Sequence, residues 1–189
     1  MNFFKHINLN KQKCRGGSKN SILREEKCMK NISNINNIPE ENIYDPDFQS
    51  KLKTVCIGDA IGSEKLYANM DYIKPGAVSV KYHFHSKQEE FYLIMSGSGL
   101  LRINGEEIPV KAGDVVSAPA GKDTGHQFIN NGSEILQILD VGTREKDDVI
   151  TYPDENMILI KDQKMVFNID SKIEGWTSEP NSEMPFSEN

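Results

Sequence analysis

The chain changes texture at Tyr67. From there to Val141 it runs as short apolar segments, YANMDYI, AVSVKYHFH, EEFYLIM, LLRI, IPV, VVSAP, GHQFIN and EILQILDV, separated by KPG, HSKQ, SGSG, NGEE, KAGD, AGKDT and NNGS. Runs this short, bounded by Gly, Pro, Asn and Asp, are strand signals. Asn104-Gly105 and Asn131-Gly132 predict tight hairpins, because both residue types accept positive φ. Eight such strands without intervening helices exclude a doubly wound α/β fold and predict an antiparallel sandwich or barrel. Ahead of them, residues 45–55 (DPDFQSKLKTV) predict a short helix with Asp45 as cap and Pro46 in its first turn. Beyond Val141, residues 148–161 (DVITYPDENMILIK) predict two further strands broken at Pro153.

Charge divides the chain differently. Residues 1–28 hold seven basic side chains (Lys5, Lys11, Lys13, Arg15, Lys19, Arg24, Lys27) against Glu25 and Glu26, while the whole chain of 189 residues carries −6. The bulk of the protein is therefore acidic, which excludes nucleic acid as an electrostatic partner. No segment approaches the roughly 20 apolar residues of a bilayer span, so no membrane partner is expected. Residues 1–28 read as a disordered basic extension, and Met29 is a second plausible start, preceded by Arg24-Glu25-Glu26, whose codons can spell a ribosome-binding stretch. Residues 29–66 are expected to pack on a barrel of residues 67–142, followed by C-terminal strands and an acidic tail within 143–189 that contains the single Trp176. Cys14, Cys28 and Cys56 fit no disulfide or zinc-ribbon spacing. They read as free thiols, and the N-terminus lacks the apolar core of a secretion signal, so a cytoplasmic protein is expected.

Three of the four histidines fall inside the strand pattern. His83 and His85 are two apart and share a strand face. Glu90 follows a short turn, and His126 begins a later strand. A barrel brings such strands together, so three imidazoles and a carboxylate can converge in its lumen. That donor set suits Mn, Fe, Ni or Zn. With all four ligands a tetrahedral zinc would be structural, whereas a six-coordinate ion keeps two open positions. Glu89 is the rival carboxylate, but its parity points it to the opposite face. By the same alternation Lys81, Tyr92 and Phe128 are candidate pocket residues.

These residues carry a resemblance. GAVSVKYHFHSKQEEFYLIMSG (76–97) resembles the first motif of the cupin family: Gly, His-x-His, four intervening residues, Glu, six intervening residues, Gly. GDVVSAPAGKDTGHQFIN (113–130) resembles the second: Gly, Pro-x-Gly, His and, after three intervening residues, Asn. Six residues rather than five separate Gly76 from His83, and four rather than two separate Gly121 from His126, differences that a turn or strand entry absorbs. The resemblance implies an all-β double-stranded β-helix, a jelly-roll barrel, that binds a divalent metal through His83, His85, Glu90 and His126. It implies a small-molecule ligand such as a sugar or keto acid, and the homodimeric assembly common among cupins. An isomerase or epimerase resembling mannose-6-phosphate isomerase, a dioxygenase, and a non-catalytic binding module are the activities it leaves open.

Overall fold

The computed structural model describes residues 31–45, 50–121 and 124–171. The whole basic extension and most of the acidic tail, including Trp176, lie outside them. The strands are β1 (Glu40–Asp45), β2 (Ser50–Cys56), β3 (Leu66–Ile73), β4 (Phe84–His85), β5 (Glu90–Ser96), β6 (Ser98–Ile103), β7 (Glu106–Lys111), β8 (Val115–Ala118), β9 (His126–Ile129), β10 (Leu136–Thr143), β11 (Val149–Tyr152), β12 (Met157–Ile160) and β13 (Met165–Asn168). One short helix, α1 (Ile57–Ala60), follows β2. Among the described residues no helix is long and apolar enough to cross a membrane.

The strands form three sheets, ordered β1-β2-β3-β10-β5-β8, β7-β6-β9 and β13-β12-β11-β4. This is the antiparallel β architecture expected from the punctuation of the chain, in the double-stranded β-helix form that the cupin resemblance implies. Register fixes what each strand sends inward. Leu136 lies opposite Ile73, Ile138 opposite Ile94, Asp140 opposite Tyr92, and Gly142 opposite both Tyr67 and Glu90. The inner face therefore grades from apolar at one end to polar at the other. At the apolar end Ile73, Ile94, Leu136 and Ile138 pack with Leu101, Val110 and Phe128 as the main core. A second cluster, Ile38, Val55 and Met70, packs with Ile57, Tyr72 and Leu139 where residues of the N-terminal segment meet β3 and β10.

Three local expectations change. Residues 50–56 form a strand, not the end of a helix: paired between β1 and β3, they bury Leu52, Thr54 and Val55. Tertiary pairing here outweighs the capping signal of Asp45-Pro46. The run AVSVKYHFH is not one continuous strand. It touches its neighbours through single bridges at Val78 and His83 before β4 begins. Cys56 is disulfide-bonded rather than a free thiol; Cys14 and Cys28 lie outside the described residues.

The two expected hairpins divide. Asn104 and Gly105 adopt φ of 51° and 83°, as an Asn-Gly hairpin requires. Asn131 and Gly132 do not take positive φ. Their turn is held instead by Asn130, whose side chain is fully buried, donates to the carbonyls of Ile73 and Glu134 at 2.8 Å each, and accepts from the Gly132 N–H at 3.0 Å. Asn130→Ala would strand these buried groups, at about 1–3 kcal/mol for each one left unpaired. We expect the urea midpoint to fall by the equivalent of about 2–4 kcal/mol, while exposed Asn131→Ala leaves it within error.

Candidate metal centre

The site begins with a reciprocal backbone pair. His83 N–H donates to His126 O at 3.3 Å, and His126 N–H donates to His83 O at 2.9 Å. The two residues thus face each other as a closely bonded antiparallel pair. Their rings lie 4.7 Å apart, and the His85 ring lies 5.0 Å from that of His83. Glu90 enters from β5 on the other side of the lumen. Its carboxylate is 5 % exposed, whereas Glu89 is exposed, so the parity argument between the two acids holds.

Every imidazole is held at Nδ1. His83 donates to the Lys81 carbonyl at 2.8 Å, His126 to the Thr124 carbonyl at 2.9 Å, and His85 to Asp148 Oδ2 at 2.6 Å. A neutral ring whose Nδ1 carries the hydrogen presents a bare lone pair at Nε2, the donor a metal requires. Burial, aided by the neighbouring His126, pushes the pKa of His83 down to about 3, so that ring is neutral.

Glu90 shows most clearly what the lumen lacks. Its Oε1 accepts from Gln88 Nε2 at 2.9 Å and from the Tyr67 hydroxyl at 2.5 Å. Its Oε2 is buried with no hydrogen-bond donor, 2.9 Å from His126 Nε2. With Thr124 claiming the Nδ1 hydrogen, a neutral His126 offers Oε2 only a lone pair, one that the Tyr92 hydroxyl also approaches at 2.8 Å, and a cation between or beside the two groups relieves the repulsion. A proton on His126 is one such cation: burial opposes it, but the Glu90 carboxylate raises the His126 pKa. Burial likewise pushes the Glu90 pKa upward, and the three histidines more than reverse it, holding the group well below the usual carboxylate range. A divalent ion is the other. The ligand atoms of His83, Glu90 and His126 all lie within 4.8 Å of one another, a group that could hold a metal.

His85 stands slightly apart from that trio. Its Nε2 is 3.6 Å from Glu90 Oε1 but only 3.3 Å from Gln88 Nε2. Tyr92 shares the lumen face of Glu90 as expected, and its hydroxyl lies 2.8 Å from His126 Nε2. Phe128 sits deeper, in the main core, with its ring 5.0 Å from that of Tyr92. Lys81 places its Nζ 3.9 Å from Glu155.

Several supporting residues were not expected from the sequence. Tyr67 reaches Glu90 across β10 because Gly142 leaves it room; a Cβ there would lie 2.4 Å from the tyrosine ring. Its hydroxyl is also 2.9 Å from Asp140 Oδ1. Tyr152 on β11 stacks on His83 at 5.9 Å. Asp148, fully buried, accepts from His85, Ser86 Oγ and the Lys87 N–H, so it fixes one ring and the turn that follows it. Parity along YANMDYI places Tyr67 on the face of Ile73. Nothing in the run DDVITY marks Asp148 as a partner for His85, 63 residues away.

Comparison with known proteins agrees with this architecture. A family model described as "Cupin domain" matches residues 70–142. A candidate sugar phosphate isomerase from Acidithiobacillus ferrooxidans superposes with a TM-score of 0.70 at 26 % identity, covering 76 % of this chain and 96 % of that one. A sugar phosphate isomerase of the cupin superfamily from Silicibacter pomeroyi gives 0.65 at 27 % identity, covering 73 % and 92 %. An oxalate-binding protein from Thermotoga maritima is 38 % identical over 77 residues, 41 % of this chain, and the match spans 60 % of that relative's length.

Asp148 supplies a pH-dependent prediction. Burial works to raise its pKa, but the His85 N–H, the Lys87 N–H and the Lys161 charge together hold it at about 2, below an ordinary 3.8. A depressed carboxylate stabilises the fold fully above its unfolded pKa and ceases to as pH falls through its folded pKa. Between pH 3.8 and 2 the wild type should therefore lose stability more steeply than Asp148→Asn. Denaturant melts across that window measure the difference; parallel curves would show that Asp148 contributes no such increment.

Proposed function

The chain carries a cupin domain over residues 70–142, and from that premise we propose that it binds one divalent metal ion through His83, His85, Glu90 and His126. We further propose that it acts on a small oxygenated anion of the sugar phosphate or dicarboxylate kind. The observation that carries this reading is the donor-less Glu90 Oε2 facing His126 Nε2 at 2.9 Å. A buried carboxylate among lone pairs is costly without a cation. Three neutral nitrogens and one carboxylate fit a divalent transition ion better than Mg or Ca, which favour all-oxygen shells.

Such an ion supplies Lewis acidity to a carbonyl or carboxylate oxygen of the ligand. The chain's own groups bind, orient and exclude water. Asp148 and the carbonyls of Lys81 and Thr124 keep the imidazoles in their ligating tautomer. Tyr152 covers one face of His83. Burial, with Glu155 adding to it, raises the Tyr152 phenol to about 12, so it stays a neutral hydroxyl at neutral pH. Lys161 donates to Gln88 beside the site, and Lys81 lies two residues before His83 with its Nζ 3.9 Å from Glu155. They suit a ligand with negative charge.

Both classes of relative support an anionic, oxygen-rich ligand: two structural neighbours are named for sugar phosphate isomerisation and one relative for oxalate binding. The second name favours an alternative in which the centre captures a small acid without turning it over.

Elemental analysis of protein purified without chelator should give about one divalent ion per chain. His126→Ala and Glu90→Gln each remove a donor, and affinity for the ion, read as metal content at limiting ion, should fall by more than about 100-fold, beyond the roughly 10–100-fold typical of merely supporting residues. Equal content in all three proteins would refute the site. Sugar phosphate isomerisation that disappears on chelation and returns with one ion supports catalysis. Tight, metal-dependent oxalate binding without turnover selects the binding module.

A further inference from the structure

His85 is the expected ligand whose Nε2 is approached by a side-chain amide. Gln88, 2 % exposed, sends its amide nitrogen to within 3.3 Å of His85 Nε2 and 2.9 Å of Glu90 Oε1. An amide NH2 has two hydrogens, and here each is aimed at an atom a metal would use. Lys161 decides which way the amide faces: its Nζ donates to Gln88 Oε1 at 2.6 Å. An ammonium can only donate, so the carbonyl end must turn to Lys161 and the NH2 end toward the centre. The ring of contacts closes through Asp148, which lies 3.9 Å from Lys161 Nζ and 2.6 Å from His85 Nδ1.

We propose that Gln88, oriented by Lys161, is a positioning residue that holds His85 and Glu90 Oε1 back from the metal. The centre then has two arrangements: one with His83, Glu90 and His126 as donors and His85 capped by the amide, and one in which the amide withdraws and His85 completes the set. The exchange costs two hydrogen bonds, one of them to a carboxylate, and gains a nitrogen ligand. Two such opposing terms are close enough in size for a substrate to tip the balance. Gln88 thereby tunes how many positions on the ion remain for the ligand. The inference rests on the metal-binding reading above.

The test is a double-mutant cycle on the full-length protein, with Co(II) titrated alone and followed by its visible absorption. Gln88→Leu keeps the volume of the side chain and removes its hydrogens. It should tighten Co(II) binding by about tenfold, the scale of the lost hydrogen bonds, and weaken the absorption as coordination number rises. His85→Ala should weaken binding in both backgrounds, but by a ratio at least about fivefold larger in the Gln88→Leu background. Lys161→Met, altered at a partly exposed position, should change affinity in the same direction as Gln88→Leu and by less, and it serves if Gln88→Leu does not fold. An identical His85→Ala penalty in both backgrounds, or unchanged spectra in Gln88→Leu and Lys161→Met, overturns the positioning role while leaving the metal site intact. No Co(II) binding by the wild type, or wild-type affinity in His126→Ala, overturns the metal reading itself.

Discussion

The centre depends on where three Nδ1 hydrogens go. A histidine on a strand can ligate through either nitrogen, or through neither if it is charged. Here the choice is removed by acceptors placed before any ligand arrives. For His83 and His126 the acceptor is the carbonyl two residues earlier, Lys81 and Thr124, and the two residues also exchange both of their backbone hydrogen bonds. The same local device is used twice across one antiparallel pair, so ring orientation follows from backbone pairing. His85, which pairs with Ile150 of β11 instead, lacks such a carbonyl and takes a side-chain carboxylate, Asp148. The third ring is thus held by the C-terminal sheet and the first two by the barrel.

That difference makes the sheet β13-β12-β11-β4 part of the site rather than a covering layer. Asp148 precedes β11, Tyr152 ends it and Lys161 follows β12. Each meets a member of the centre: His85, His83 and Gln88 respectively. Movement of this sheet relative to the barrel would alter His85 and its cap while leaving the His83–His126 pair intact. The turn between β11 and β12 is in turn pinned to the barrel by Arg102, whose guanidinium makes two hydrogen bonds to Asp154 and lies 4.0 Å from the centre of the Tyr82 ring. Bidentate pairing and stacking together use the geometry that distinguishes Arg from Lys.

Much of this was legible in the sequence because it follows from local rules. Strand parity separated Glu90 from Glu89 and placed Tyr92 inward, and Asn104-Gly105 encoded its own turn. The expectations that failed depended on partners that the local pattern does not show. The segment 45–55 looks helical at its start, but residues 50–56 are claimed by β1 and β3. Asn131-Gly132 resembles a hairpin turn, yet the preceding Asn130 satisfies the loop from its own side chain. Gln88 stood in a turn, HSKQ, whose polar residues signal only a change of direction; that its amide turns inward is set by Lys161, 73 positions later.

The polar end of the lumen also explains why its donors are so heavily bonded. Glu90 is the sole carboxylate of the proposed ligand set, and each contact to Oε1 withdraws charge from it. Tyr67 and Gln88 both donate to that oxygen, whereas Oε2 receives nothing. The two oxygens of one carboxylate are therefore unequal: one is tied to the protein, and one is left with its lone pairs toward His126. A carboxylate prepared in this way is biased toward binding an ion through a single oxygen. Its second oxygen remains anchored to β3 through Tyr67, a contact that requires the missing side chain at Gly142. A glycine within a strand is otherwise a liability; here it lets a tyrosine cross the strand and hold the proposed ligand from behind.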